Sequence, residues 1–555
     1  MPDMPSDSGV FVWSGEAGRT HPAVSLGAFV LDHLRRHAKE ADFPAQIDAA
    51  TGNEMSFPTI LELSVQSAES WRASGLGVGK TLVVFARNSE MLFPAVLGAV
   101  FQGVTLSGIS PTASEGELRH CLALLRPDAI LCDPPNVNLA RRVMAEAGVV
   151  AEGCLLLVQS EEAAEGARTL GDVMRLVDAT AVDVASYRPA DVGDFREHVA
   201  AVFFSSGTTG MPKGVMLSNF GMLMSTQDCV MAFRCVRGER ILCTSLMSWV
   251  TGIGLLVASS LAGSTRVCDT FTSPPALLAS LRRYECNCWF TAPPLMMLVA
   301  EAVRAEGKDL TRPPCPKLRA VVVGGTALPA PMEEALARVM HCDIHQTYAS
   351  TETLVLSAGS KPLRAGSTGK LVPGVRVRFV DIDTGVDIRT PGVPGELRID
   401  SPSTMKGYKD NAEETAQAFD EHGYFCSGDI AYLDADGYLY IVGRLKELLK
   451  YHGDKVAPAE VEAVLREHPG VAEACVVGRP DPLAGDVPSA VVVRRPGHNV
   501  TEQELQQLVA DRLSNTKRLR GGVVFIEQIP KTSNGKVARR NVMQYLDGHP
   551  MQELD

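Results

Sequence analysis

"VAAVFFSSGTTGMPKGVMLS", Val199 to Ser218, opens on small and apolar residues and then packs hydroxyls, glycines and one lysine into a single bend. The run Val199–Phe204 reads as a buried strand and the Gly/Ser/Thr-rich stretch after it as a turn. Gly207 and Gly210 let backbone N–H groups converge, while Ser205, Ser206, Thr208 and Thr209 add hydroxyl donors. A convergent cluster of donors cradles an anion, and Lys213 supplies positive charge, so the expected guest is a polyphosphate. This is not a Walker A loop, which needs Gly-Lys followed directly by Ser or Thr. Here Lys213 stands between Pro212 and Gly214.

A second stretch imitates that loop. "SGLGVGKTLVV", Ser74 to Val84, contains Gly-Lys-Thr but carries Ser74 where the motif needs its first glycine. It reads as a turn leading into a strand over Thr81–Phe85.

Apolar strand-like runs alternate with amphipathic helical runs along the chain, at Thr81–Phe85, Ala129–Leu131, Val199–Phe204 and Leu318–Val323 among others. That alternation predicts an α/β fold of layered subdomains. The apolar stretch Met91–Ile109 contains Pro94 and Gln102 and reads as a buried helix, not a membrane span. Residues 1–20 read as a loosely held arm. After Gly437 the pattern changes to strand, charged turn and helix, with a further helix over Glu502–Leu513, enough for a separate domain of about one hundred residues. The expected division is therefore an arm over 1–20, a large domain over 21–442, and a small α+β domain over 443–555.

A net charge of −12 disfavours nucleic-acid binding, which asks for a basic face. The thirteen cysteines lack metal-ligand spacing, and "MPDMPSDSGV" has no secretory pattern. The ending "MQELD" is neither a peroxisomal nor a retention signal, so the expected location is cytoplasmic.

Four further motifs follow the opening one in order: "GGTALP" (Gly324–Pro329), "QTYASTE" (Gln346–Glu352), "GYFCSGDIAYLDADGYLYIVGRLKELLKYHG" (Gly423–Gly453) and "PKTSNGKVARR" (Pro530–Arg540). Together they resemble the adenylate-forming (ANL) superfamily of acyl-CoA synthetases, beetle luciferases and peptide-synthetase adenylation domains. In style they are most similar to its 4-coumarate–CoA ligase-like and luciferase-like fatty acyl-CoA synthetases. The likeness runs from about residue 50 to 545.

The resemblance implies a two-step reaction. A carboxylate attacks the α-phosphate of ATP, giving an acyl-adenylate and pyrophosphate, and the thiol of coenzyme A then displaces AMP. It also implies roles. Ser205, Ser206, Gly207, Thr208, Thr209, Gly210 and Lys213 would hold the β- and γ-phosphates. Gly324 and Gly325 would pack on one face of adenine and Tyr348 on the other, with Thr326, Gln346 and Thr347 in the same nucleotide-binding set. Thr351 matches a phosphate-binding threonine and Glu352 a ligand of Mg²⁺, a hard cation that prefers oxygen. Asp429 matches the acceptor of both ribose hydroxyls, and Arg444 follows it at the family's spacing. Lys446 and Gly453 fall in the segment that forms the family's hinge and mobile loop. Lys450 matches a lysine used in thioester formation and Lys536 the catalytic lysine of adenylation. Were "GRLKELLKYHG" helical, Lys446 and Lys450 would share one face.

The chain departs from the family in the acyl segment "SLMSWVTGIG", where Trp249 stands in place of a common histidine. Trp249 reads either as a wall or gate of the acyl pocket or as a plain core residue. Gly252 and Val355 join it as candidate substrate-lining positions. Ala349 replaces a common glycine, and Lys455 a frequent glutamine.

The expected function is ligation of a fatty or medium-chain carboxylic acid to coenzyme A. The alternatives are a 4-coumarate-type aromatic acid ligase, a luciferase-like oxygenase, and a non-catalytic nucleotide-binding relative. The expected partners are small molecules, with no nucleic acid and no integral membrane segment, and the sequence leaves the oligomeric state open.

Overall fold

The computed structural model describes residues 11–16, 23–146, 148–205, 211–270, 273–307, 311–452, 454–531 and 537–546. Among these the strands assemble into four sheets. The first two are largely parallel, as buried runs such as Leu-Val-Val-Phe and Ala-Val-Val-Val require, because both faces of their strands must be apolar.

In the first sheet, Thr105–Gly108, Thr81–Phe85, Ala129–Cys132 and Leu155–Val158 run parallel, and Val199–Ser205 joins beside Thr105–Gly108. Lys213–Ser218 then folds back antiparallel on Val199–Ser205, and Gly407–Tyr408 closes the edge. The second sheet centres on the parallel strands Arg240–Cys243, Thr265–Cys268, Cys288–Thr291, Ala320–Val323 and Asp343–Ser350. The third is antiparallel and ends with Phe425–Leu433 paired to Leu439–Arg444. One apolar cluster unites the inner faces of all three, drawing in Val84, Phe203, Cys243, Val322 and Leu397.

The fourth sheet belongs to the C-terminal domain and has its own core, built from Val461, Leu465, Val476, Val492 and Leu505 among others. Its strands are Leu449–Tyr451, Asp454–Val456, Val471–Asp481, Gly485–Arg494 and Val523–Ile526.

Three local expectations need correction. Met91–Ile109 is not one helix but helix Leu92–Phe101 followed by strand Thr105–Gly108, because Gly103 turns the chain at φ +64°. The charged turn read at "GRLKELLKYHG" is more ordered than that: a single turn at Leu445–Glu447 gives way to a hairpin of Leu449–Tyr451 on Asp454–Val456. Lys446 and Lys450 therefore share no helix face. The described part of the arm is also docked, with Trp13 and Ser14 paired to Val377 and Arg376 and the Trp13 ring buried. The stretch before Thr81 is the turn expected, and Lys80 there reaches Asp128 at 3.0 Å. No helix among the described residues is long and apolar enough to cross a membrane.

Candidate active site

Side chains gather at the carboxyl ends of Ala320–Val323 and Asp343–Ser350, the place where parallel α/β sheets leave a crevice for ligands. They form three groups.

Lys213 heads the first. It is the first residue of strand Lys213–Ser218, paired with Ser205 across the mouth of the bend, and so belongs to a strand and not to the loop. Its ammonium lies 2.7 Å from Glu414 Oε2 and 5.2 Å from the centre of the Tyr408 ring. The Tyr408 hydroxyl in turn donates to Glu352 Oε1 at 3.4 Å. Burial, then the Glu352 charge, push the Tyr408 phenol above its ordinary range, so it remains a donor.

Glu352 and Thr351 occupy the tip of the hairpin between Asp343–Ser350 and Leu354–Ala358. That tip is tightly built. Thr353 N–H donates to Ser350 Oγ at 3.1 Å, Leu354 takes a left-handed φ of +57°, and Met405 N–H donates to the Glu352 carbonyl at 2.7 Å.

The second group is Tyr348, Asp429 and Arg444. Asp429 and Arg444 face each other on paired strands, with Arg444 Nε 2.9 Å from Asp429 Oδ1. The Tyr348 hydroxyl donates to Asp429 Oδ2. Both carboxylate oxygens are thus engaged. Burial first, then Asp429, hold the Tyr348 phenol protonated well above its usual range.

The third group surrounds Gly324 and Gly325. A Cβ at buried Gly324 would meet Thr347 Cγ2 at 3.1 Å, so packing favours glycine. At Gly325 the reason is φ +89°; an added Cβ there would meet nothing within 4 Å. Gly325 and Thr326 are exposed, as the open side of a binding crevice requires. Thr347 donates its hydroxyl to the Ser357 carbonyl at 2.6 Å. Gln346 is buried, and its amide is committed to Leu328 and Glu333 rather than to the crevice.

Other candidates stand apart. Lys446 and Lys450 are exposed, and the Lys450 backbone N–H donates to Asp486 within the C-terminal sheet. Val355 lies in the core of the large domain. A Cβ at Gly252 would lie 2.2 Å from the Leu246 carbonyl oxygen, so that glycine serves the close approach of the backbone. Trp249, at the start of helix Val250–Ala262, is 41% exposed, which removes the core reading. Ser206, Gly207, Thr208, Thr209, Gly210, Gly453 and Lys536 lie outside the described residues.

Tyr408 and Glu414 escaped the sequence reading. Their local signal is a helix start, with Asn411 capping Ala412–Gln417 and accepting from Glu414 N–H at 3.1 Å. Nothing local announces that this turn meets Lys213.

Residues 34–409 match the family model of AMP-binding enzymes and residues 460–536 that of the AMP-binding enzyme C-terminal domain. The chain is 32% identical to a luciferin 4-monooxygenase of Photuris pensylvanica, over 93% of this chain and 94% of that protein. It is 32% identical to 4-coumarate–CoA ligase-like 2 of Arabidopsis thaliana, over 89% of this chain and 87% of that protein. In fold it is similar to the anthranilate CoA ligase AuaEII in complex with anthranoyl-AMP, with a TM-score of 0.82 at 23% identity, covering 94% of this chain and 98% of that one.

Proposed function

We propose that this chain, which belongs to the family of AMP-binding enzymes, joins a fatty or medium-chain carboxylic acid to coenzyme A by way of an acyl-adenylate. A carboxylate oxygen attacks the α-phosphorus of ATP and the bond to pyrophosphate breaks. The thiol sulfur then attacks the acyl carbon, the thiol proton is lost, and AMP leaves. A free carboxylate is a poor electrophile, and the adenylate is a good one.

The observation that carries this reading is the joining of motifs distant in sequence: Lys213 to Glu352 through Tyr408, and Tyr348 to Arg444 through Asp429. Such a site positions phosphates and neutralises their charge, which is most of what phosphoryl transfer needs. Ser205 through Gly210, with Lys213, would hold the β- and γ-phosphates. Gly324, Gly325 and Tyr348 would frame adenine, and Asp429, fixed by Arg444, would accept from the ribose. The half-buried carboxylate of Glu352 fits a hard cation, and Thr351 stands beside it; Mg²⁺ bound there would offset phosphate charge. Lys536 would stabilise the charge that develops as the adenylate forms. Lys450 would serve the thioester step after rotation of the C-terminal domain about Gly443–Lys446, a hinge drawn from few residues.

Support for an apolar acid comes from the acyl segment, where the exposed indole of Trp249 precedes the apolar helix Val250–Ala262. Ligand pockets of this kind are mostly apolar with few polar anchors. The test is acid-dependent exchange of pyrophosphate into ATP with hexanoate, decanoate, palmitate and 4-coumarate, repeated for thioester formation with coenzyme A. Exchange and thioester are expected with the straight-chain acids. Activity with 4-coumarate alone overturns the acid class, and no exchange with any acid overturns the adenylation reading.

A further inference from the structure

One buried carboxylate belongs to none of the groups above. Glu333, in the first turn of helix Ala330–Met340, is 7% exposed. Its Oε2 accepts from the Gly366 N–H at 2.9 Å and from Gln346 Nε2 at 2.7 Å. The same Nε2 donates to the Leu328 carbonyl at 2.8 Å, and Gln346 Oε1 accepts from the Leu328 N–H at 3.0 Å. A single amide therefore satisfies both backbone groups of Leu328 and is itself held by Glu333.

Leu328 closes the loop that begins at Gly324, and Gln346 begins the segment that carries Thr347 and Tyr348. The clamp thus ties the glycine side of the crevice to the tyrosine side. Packing alone does not explain a carboxylate here. Its partners are amides and not cations, and burial, with Glu334 adding to it, lifts its pKa despite those two hydrogen bonds. Taking such a group out of water is unfavourable, and an apolar side chain would fill the space at less cost.

We propose that Glu333 is a positioning residue for the nucleotide. Acting through Gln346, it sets the gap between Gly324–Gly325 and Tyr348 in which a purine ring lies. This rests on the adenylation reading, and it makes Glu333 a determinant of ATP affinity and not of acid affinity.

The test compares Glu333→Leu, Glu333→Gln and Gln346→Met. Glu333→Leu is expected to raise the KM for ATP in pyrophosphate exchange about tenfold, the scale of a buried hydrogen bond left unmade, with the KM for the acid unmoved. Glu333→Gln is expected to restore it, because both N–H donors end on one oxygen that an amide also offers. Gln346→Met removes the clamp while leaving the helix intact, and is expected to show the same rise of about tenfold, which keeps the test decisive where Glu333→Leu fails to fold. Calorimetric ATP binding, read in parallel, tests the clamp whether or not any acid in the panel turns over. An exchanging wild type with unchanged ATP KM and affinity in both clamp variants overturns the inference while leaving adenylation standing. A wild type that binds ATP but exchanges with no acid overturns adenylation alone. Equal losses of Tm in all variants, with ATP affinity unchanged, reduce Glu333 to a purely structural residue and also overturn it.

Discussion

Lys213 faces the carboxylate of Glu414 at 2.7 Å, and in the proposed reaction it must also face the phosphates of ATP. The two anions compete for one ammonium. Removing the cation by Lys213→Ala is expected to raise the KM for ATP about tenfold or more, the scale of a hydrogen bond to a charged group. Because Lys213 is a strand residue with a partly buried partner, a drop in Tm should accompany the change. Glu414→Gln is expected to act in the opposite direction, lowering the KM for ATP by removing a negative charge beside the phosphates. Pyrophosphate exchange measured against ATP concentration checks both, and a raised KM in Glu414→Gln would mean that Glu414 orients Lys213 instead of competing for it. The lysine was legible in the sequence and its counter-ion was not. Glu414 reaches it only because Gly407–Tyr408 pairs with Val215 and Met216, a contact between distant segments with no local mark. Trp249 illustrates the same limit, since wall and core residues differ in burial, and burial is decided by the whole fold.

At the scale of elements, periodicity and turn residues located Thr81–Phe85 and Val199–Ser205 to within a residue. They failed where short apolar runs suit helix and strand alike, as on either side of Gly103, and where a charged run, "KELLKYHG", hid a hairpin. Helix Pro458–Glu467 carries the next prediction. Glu462 is buried there at 4% exposure, accepting from Val476 N–H at 2.9 Å, Arg466 at 3.0 Å and Arg539 at 2.5 Å. Burial alone would lift its pKa, yet Arg539 and Arg466 outweigh burial and hold it below the ordinary 4.5. A depressed carboxylate contributes stability that is present above its unfolded value and is lost as pH falls through the folded one. The C-terminal domain should therefore lose Tm as pH drops below about 4.5. Glu462→Gln, which leaves Arg466 without its carboxylate and Arg539 with Glu447 alone, should cost about 3 kcal/mol at pH 7 and flatten that acid slope. Thermal melts between pH 7 and pH 3 read both effects, and an unchanged slope in the variant contradicts the assignment.

On the scale of the whole molecule, the C-terminal domain keeps its own core while touching the large domain through pairs such as Lys455 with Asp383. One small domain can hardly press Lys536 onto ATP and leave a path for a long thiol at the same time. Alternation between two orientations resolves that conflict. Lys536→Ala should lose adenylate formation by roughly a hundredfold or more, the scale of one lost transition-state contact, while still converting a supplied acyl-adenylate to thioester. Lys450→Ala should do the reverse. Equal loss of both steps in both variants contradicts the division of labour. The order of the motifs made the two-domain plan legible, because each motif needs only a few fixed residue types. The acid is harder to read, since a pocket is lined by whichever side chains the assembled domain brings together, and no local motif announces them.

The central claim is that a carboxylate oxygen becomes bonded to the α-phosphorus of ATP. The enzyme is given an acid labelled with ¹⁸O in both carboxyl oxygens, together with ATP and coenzyme A, and its products are weighed by mass spectrometry. The account predicts AMP carrying one ¹⁸O, a thioester carrying the other, and unlabelled pyrophosphate. Unlabelled AMP beside thioester, or ADP beside labelled inorganic phosphate, would show that the acid is activated by another route.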